Sequence, residues 1–100
     1  MKLIVTVHCG EDLQGSKEVV ERLTGKNIQT KLDNYLKKYN KEDAECKVDV
    51  KCNKNKKWLF DGTIQAVFDG ESFRVHREDY TKLDDLINHM FDHLKENLSK

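Results

Sequence analysis

The dipeptide Asp69-Gly70 constrains this chain more than any other feature. It separates two runs of alternating apolar and polar residues, and the second run passes through Glu78-Asp79-Tyr80 into a long amphipathic stretch. Asp and Gly both tolerate the positive φ of a two-residue type I′ turn, whose twist matches that of paired antiparallel strands. Residues 58 to 68 therefore read as one strand of a hairpin, with Ile64, Ala66 and Phe68 inward and Thr63, Gln65 and Val67 outward. On the return strand Phe73 and Val75 point in, while Arg74 and His76 point out. Gly62 marks an expected bulge.

After the hairpin the apolar period lengthens from two to about 3.6, the signature of a helix. Tyr80, Leu83, Leu86, Ile87, Met90, Phe91, Leu94 and Leu98 form its broad apolar stripe. Upstream, residues 45 to 52 alternate, with Cys46, Val48, Val50 and Cys52 on one face and Glu45, Lys47, Asp49 and Lys51 on the other. That is a half-buried strand with a solvated back. A basic loop, residues 53 to 57, follows it. Residues 2 to 8 are rich in Val, Ile and Leu and read as a strand buried largely on both faces.

Residues 10 to 15 read as a polar connection, with Ser16 as helix N-cap and Glu18 in the first turn. Val20, Leu23, Ile28, Leu32, Tyr35 and Tyr39 then recur at mostly helical spacing, widened by Val19 and Leu36. Gly25 is expected to weaken or kink this helix by about 1 kcal/mol relative to Ala. Asn40 suits a left-handed terminus. The expected fold is α+β in the order β-α-β-β-β-α: one domain over residues 1–100, a four-stranded sheet with two helices packed on one face.

A chain of 100 residues holds one core and leaves little room for a deep catalytic pocket. Charged residues make up 36%, yet 18 Lys and Arg balance 18 Asp and Glu, so any polyanion-binding face must arise by local sorting of charge. Three cysteines without CxxC spacing read as reduced cytosolic thiols. The N-terminal MKLIVTVHCG is too short an apolar run for a secretory signal, and no run approaches a membrane span. A cytoplasmic location and no membrane partner are expected.

Asp85, His89 and His93 share one helix face, a spacing that suits a metal only with further ligands, which the sequence does not supply. His8 and Cys9 are neighbours on a strand, so their side chains point to opposite sides and His8 is poorly placed to activate the thiol. Cys46 and Cys52 read as small core hydrophobes. Asp84 and Asp85 suit a helix N-terminus. No metal, cofactor, small-molecule substrate or catalysis is expected.

The basic residues are the remaining candidates. Arg22, Lys26, Lys31, Lys37 and Lys38 decorate the first helix; Lys54, Lys56 and Lys57 crowd one loop; Arg74, His76 and Arg77 lie on the last strand. Such side chains hold phosphates without reading sequence. Glu21, Asp33, Glu45 and Asp49 are interleaved, and charge alone describes an ordinary solvated surface.

Two segments carry a resemblance. Residues 31 to 40, KLDNYLKKYN, and 78 to 87, EDYTKLDDLI, resemble the ends and junctions of the ribosome hibernation-promoting factor and ribosome-associated inhibitor family. There a Lys-Leu-acid-x-Tyr-apolar run precedes the second strand, and an acid-x-Tyr-x-x-Ile-Asp-x-Leu segment opens the last helix. Tyr80, Leu83, Asp84 and Leu86 stand on matching positions, and the resemblance covers roughly residues 17 to 100.

The resemblance implies a translation inhibitor that binds the small ribosomal subunit, through ribosomal RNA, in the channel of messenger and transfer RNA in stressed cells. It puts Arg22, Lys31 and Lys38 on family-basic positions, with His89 replacing another, and together with Lys26, Arg74, His76, Arg77 and Lys82 from the basic residues these are the expected RNA contacts. Long family members add a dimerisation domain, so this chain is expected to be a short form or an N-terminal domain. Asp92 and Glu96 depart from the family's basic pattern and would repel phosphate. A double-stranded-RNA-binding domain shares part of the topology, but Asp84 and Asp85 stand where its lysines belong. The competing expectation is a protein-interaction module that uses the exposed sheet back.

Overall fold

The computed structural model describes residues 2–39 and 44–99; Asn40, read above as a helix terminus, lies outside them. Strand β1 (Lys2–Cys9) leads through a 3-10 helix (Glu11–Ser16) into helix α1 (Lys17–Asn27). A π-helical segment (Ile28–Leu32), a short α2 (Asp33–Leu36) and a 3-10 turn (Lys37–Tyr39) extend α1 as one helical arm. Then come β2 (Glu45–Lys54), β3 (Phe60–Phe68), β4 (Glu71–Tyr80) and α3 (Leu83–Leu98). The sheet order is β1-β2-β3-β4, with β1 and β2 parallel and the other pairs antiparallel. This is the expected β-α-β-β-β-α fold.

Asp69 (φ 50) and Gly70 (φ 93) form the two-residue turn, closed by Phe68 opposite Glu71. Parity of the strands then places Ile64, Ala66, Phe68 and Val75 in the core beside Cys46, Val48, Val50 and Cys52. Against them lie Val20, Ile28, Leu32 and Leu36 from the first arm, and Leu86, Ile87, Met90, Phe91 and Leu94 from α3. The helical layer covers one sheet face; the other stays open to solvent.

Gly62 earns its place by close approach. A Cβ there would stand 2.7 Å from Met90 Cε and 3.1 Å from Leu86 Cδ2, so the missing side chain lets α3 settle onto β3. The irregularity expected at Gly62 is present, but its extra residue belongs to the partner strand. Gly62 pairs with Arg77 and Phe60 with Tyr80, and Asp79 absorbs the additional residue of β4 at φ 61.

Several expectations are corrected. β1 is not buried on both faces: it is an edge strand with one neighbour, Val7 alone of its residues is buried, and Val5 is 42% exposed. Residues 10 to 15 are not an irregular connection, because the 3-10 helix tucks Leu13 into the core. Ser16 consequently enters α1 from a helical turn and makes no side-chain cap. Helix α1 runs straight through Gly25, which is exposed and unobstructed, and the irregularity begins only at Ile28.

On α1, Val19 is exposed and lies off the stripe, while Thr24 and Asn27 occupy buried positions. Tyr80 ends β4 rather than opening α3. Finally, β2 runs on to Lys54 and β3 starts only at Phe60, so Trp58 belongs to the connecting turn. Asn55 holds that turn. Its Oδ1 accepts from Lys57 N (2.9 Å) and Leu59 N (3.2 Å), and backbone bonds join Asn55 to Leu59 and Trp58. Trp58 is left at φ 63, a conformation L side chains rarely adopt.

Candidate nucleic-acid interface

The basic residues divide between the two sides of the molecule. On the helical side, Arg22 and Lys26 are exposed along α1. One turn on, Lys31 reaches across to α3. Its ammonium donates to the Asn88 carbonyl oxygen at 3.0 Å and pairs with Asp92 Oδ1 at 2.7 Å. Asn27, 3% exposed, completes a polar clasp by donating Nδ2 to Leu23 O (2.8 Å) and to Asn88 Oδ1 (2.9 Å). A shallow cleft of about 290 Å³ lies there, lined by Leu23, Lys26, Asn27, Thr30, Lys31 and Asn88.

Lys38 sits over the Tyr35 ring, 5.3 Å from its centroid. Lys82 is exposed in extended backbone just ahead of α3. His89 Nδ1 is hydrogen-bonded to the Tyr80 hydroxyl at 3.1 Å, and the two rings meet edge to face. Arg77 lies on the helical side of β4 and donates Nη2 to His93 Nδ1 at 3.1 Å. The exposed positions of α3 include Asp84, Asp85, Asp92 and Glu96, so that helix presents mainly acid to solvent.

Arg74 and His76 face the other way, on the open side of the sheet. The register aligns Arg74 with Gln65 and Asp49, and His76 with Thr63 and Lys51. His76 is fixed at both ring nitrogens, Nδ1 to Thr63 Oγ1 and Nε2 to Glu78 Oε1, each at 2.8 Å. The nine residues named from the sequence are therefore not brought onto one surface. Arg22 and Lys26 form one exposed station, with Lys31 beside them but tied to Asp92. Arg74 and His76 form another, with the sheet between.

Asp85, His89 and His93 do not converge, since Tyr80 and Arg77 hold the two imidazoles; among the described residues no group of three His, Cys, Asp or Glu could hold a metal ion. Burial pushes the Cys9 and Cys46 thiols up, and burial, with the Cys9 charge adding to it, pushes Cys52 up to about 12. Thiols shifted this way resist becoming nucleophiles. Among the described residues no helix is long and apolar enough to cross a membrane.

Two features escaped the sequence reading. One is the Asn27–Asn88 clasp, whose members look like ordinary surface amides until the helices are set side by side. The other is the turn position of Trp58, read above as the first residue of a strand over 58 to 68. The run of five polar residues before it, Asn55 included, is the available sign of a turn.

Neither a scan against protein-family models nor a search of curated proteins finds a match. Among solved structures the chain is similar to the N-terminal domain of Protein Y from Thermus thermophilus. The TM-score is 0.60 and the identity 19%, over 98% of this chain and 96% of that one. At that identity the likeness shows a shared fold.

Proposed function

We propose that this protein associates with the small ribosomal subunit and silences translation by occupying the decoding channel, as a cytoplasmic factor of stressed cells. The observation that carries the reading is the end-to-end structural match to the Protein Y domain, set beside the family resemblance of residues 17 to 100. The contacts are phosphate-positioning ones, so affinity falls steeply with salt as counterions are released. Arg22 and Lys26 are the best-placed residues, exposed and off the buried stripe. Co-sedimentation with small subunits over a salt series tests this. The Arg22→Glu, Lys26→Glu double variant should fold normally and pellet poorly. Failure of the native protein to pellet at low salt overturns the reading.

A second reading has its own support. The Lys31–Asp92 pair and the acidic exposed face of α3 favour a module of the same fold that has left the ribosome for a protein partner. Its contact surface would be the open sheet face, with Lys47, Lys51, Thr63, Gln65, Arg74 and His76. It takes precedence if ribosome binding fails while the double variant keeps every other property.

A further inference from the structure

We infer that the turn between β2 and β3 is a stacking site for an unpaired base of a single-stranded polynucleotide, with Trp58 as the platform and Lys54, Lys56 and Lys57 as its phosphate clamp. Trp58 is 66% exposed and lies outside the core. The core gives no reason for it: its left-handed backbone would suit Gly or Asn better, and the ring is not among the side chains packed against the core. What the ring does touch is cationic. Lys54 Nζ lies 5.3 Å from the Trp58 centroid and 5.0 Å from that of Phe60, so one ammonium is held against two aromatic faces.

The turn also sorts its charge. Asp61 Oδ1 accepts from Asn55 Nδ2 (2.9 Å) and from Asp79 N (3.0 Å), and Asp79 Oδ1 accepts from the same amide at 2.6 Å. The two carboxylates serve as the inner scaffold. Lys56 and Lys57 stand exposed on the outside, Lys57 reaching Asp79 Oδ2 at 3.5 Å. An open indole with ammonium groups around it has the chemistry of base stacking combined with backbone neutralisation, and it is tolerant of sequence. An acidic peptide would satisfy the lysines but leave the indole unused. A duplex hides its base faces. The rigid Asn55 turn holds the ring in place before binding, which lowers the entropy lost on association.

Because Trp58 is the only tryptophan, its fluorescence reports this site alone. The native protein is titrated at low salt with a single-stranded RNA dodecamer, an RNA duplex of equal length, an abasic dodecamer and poly-glutamate. Single-stranded RNA should quench and shift the emission, and the other three should leave it nearly unchanged. By anisotropy of labelled single strand, Trp58→Ala should bind about ten-fold or more weakly, and Trp58→Phe should retain part of the affinity. Thermal melts confirm that both variants are folded. Equal quenching by abasic strand or poly-glutamate, or an unchanged affinity in Trp58→Ala, overturns the inference. The site does not rest on ribosome association: co-sedimentation reads that proposal, and the oligonucleotide titration reads this one.

Discussion

Asp92→Asn is the most direct probe of whether the helical side meets phosphate. In the native protein the Lys31 ammonium is held 2.7 Å from Asp92 Oδ1, with side-chain exposures of 23% and 57%. Partly exposed pairs of this kind contribute about 0.2–1 kcal/mol, and the Asn side chain keeps an acceptor in place, so the loss of stability should stay under about 1 kcal/mol. The effect on a polyanion is larger. In water-like surroundings a unit charge about 4 Å from a phosphate is worth about 1 kcal/mol, so removing one repulsion and releasing one attraction, about 2 kcal/mol together at most, should tighten binding by up to about 30-fold at low salt. The log–log salt slope should steepen by about 0.7–0.9, the amount expected from one added phosphate contact. Co-sedimentation with small subunits over a salt series reads both quantities. Lys31→Met, which keeps the aliphatic stem, should weaken binding alone by leaving Asp92 unpaired, and in the Asp92→Asn background should return affinity to about the native level. If Asp92→Asn leaves affinity unchanged, or Lys31→Met changes it in neither background, the helical side does not face phosphate.

Two further perturbations test the fold that carries these sites. Gly62→Ala should destabilise by about 1–3 kcal/mol in urea denaturation, because its Cβ would overlap Met90 Cε in a filled core. In a Met90→Ala background most of that penalty should vanish; equal penalties in both backgrounds would locate the strain elsewhere. Cys52 has its thiol raised from 9.0 to about 12 on folding, so its contribution is fully present below pH 9 and is lost between pH 9 and 12. The full loss is on the order of 4 kcal/mol. Cys52→Ala should flatten the fall in stability above pH 9 relative to the native protein, and an unchanged slope would contradict the burial argument.

Local periodicity made most of the fold readable. Alternation at 45 to 52 and the Asp69-Gly70 turn fixed parity, and parity decided which side chains reached the core. The same rule contained the division of the candidate site: Arg74 and Arg77 are an odd number of residues apart on β4, so a period of two sends them to opposite faces. What periodicity does not contain is the pairing of distant surface groups. Lys31 and the Asn88 carbonyl are 57 residues apart in sequence, and only the packing of α3 beside the first arm makes them neighbours. The misreading at Trp58 has a local cause. An aromatic residue has high strand propensity, but here the Asn55 amide and carbonyl groups organise the backbone into a turn that overrides it.

A formal balance of 18 against 18 is not the charge that a polyanion meets. At the β2–β3 turn, Lys54, Lys56 and Lys57 outnumber Asp61 and Asp79, which accept from the Asn55 amide, with Asp79 also pairing with Lys57 at 3.5 Å. On α3 the reverse holds: Asp84, Asp85 and Glu96 are exposed, and Asp92 already neutralises the nearest lysine. Exposed charges farther apart than about 8 Å are largely screened at physiological ionic strength, so each patch acts on its own neighbourhood. On the two proposals above, a phosphate chain would meet the turn and the outer side of α1 and avoid α3, although the molecule as a whole is neutral. Electrostatic orientation of this kind needs no net charge; it needs a local excess of exposed bases on one patch and of exposed acids on another.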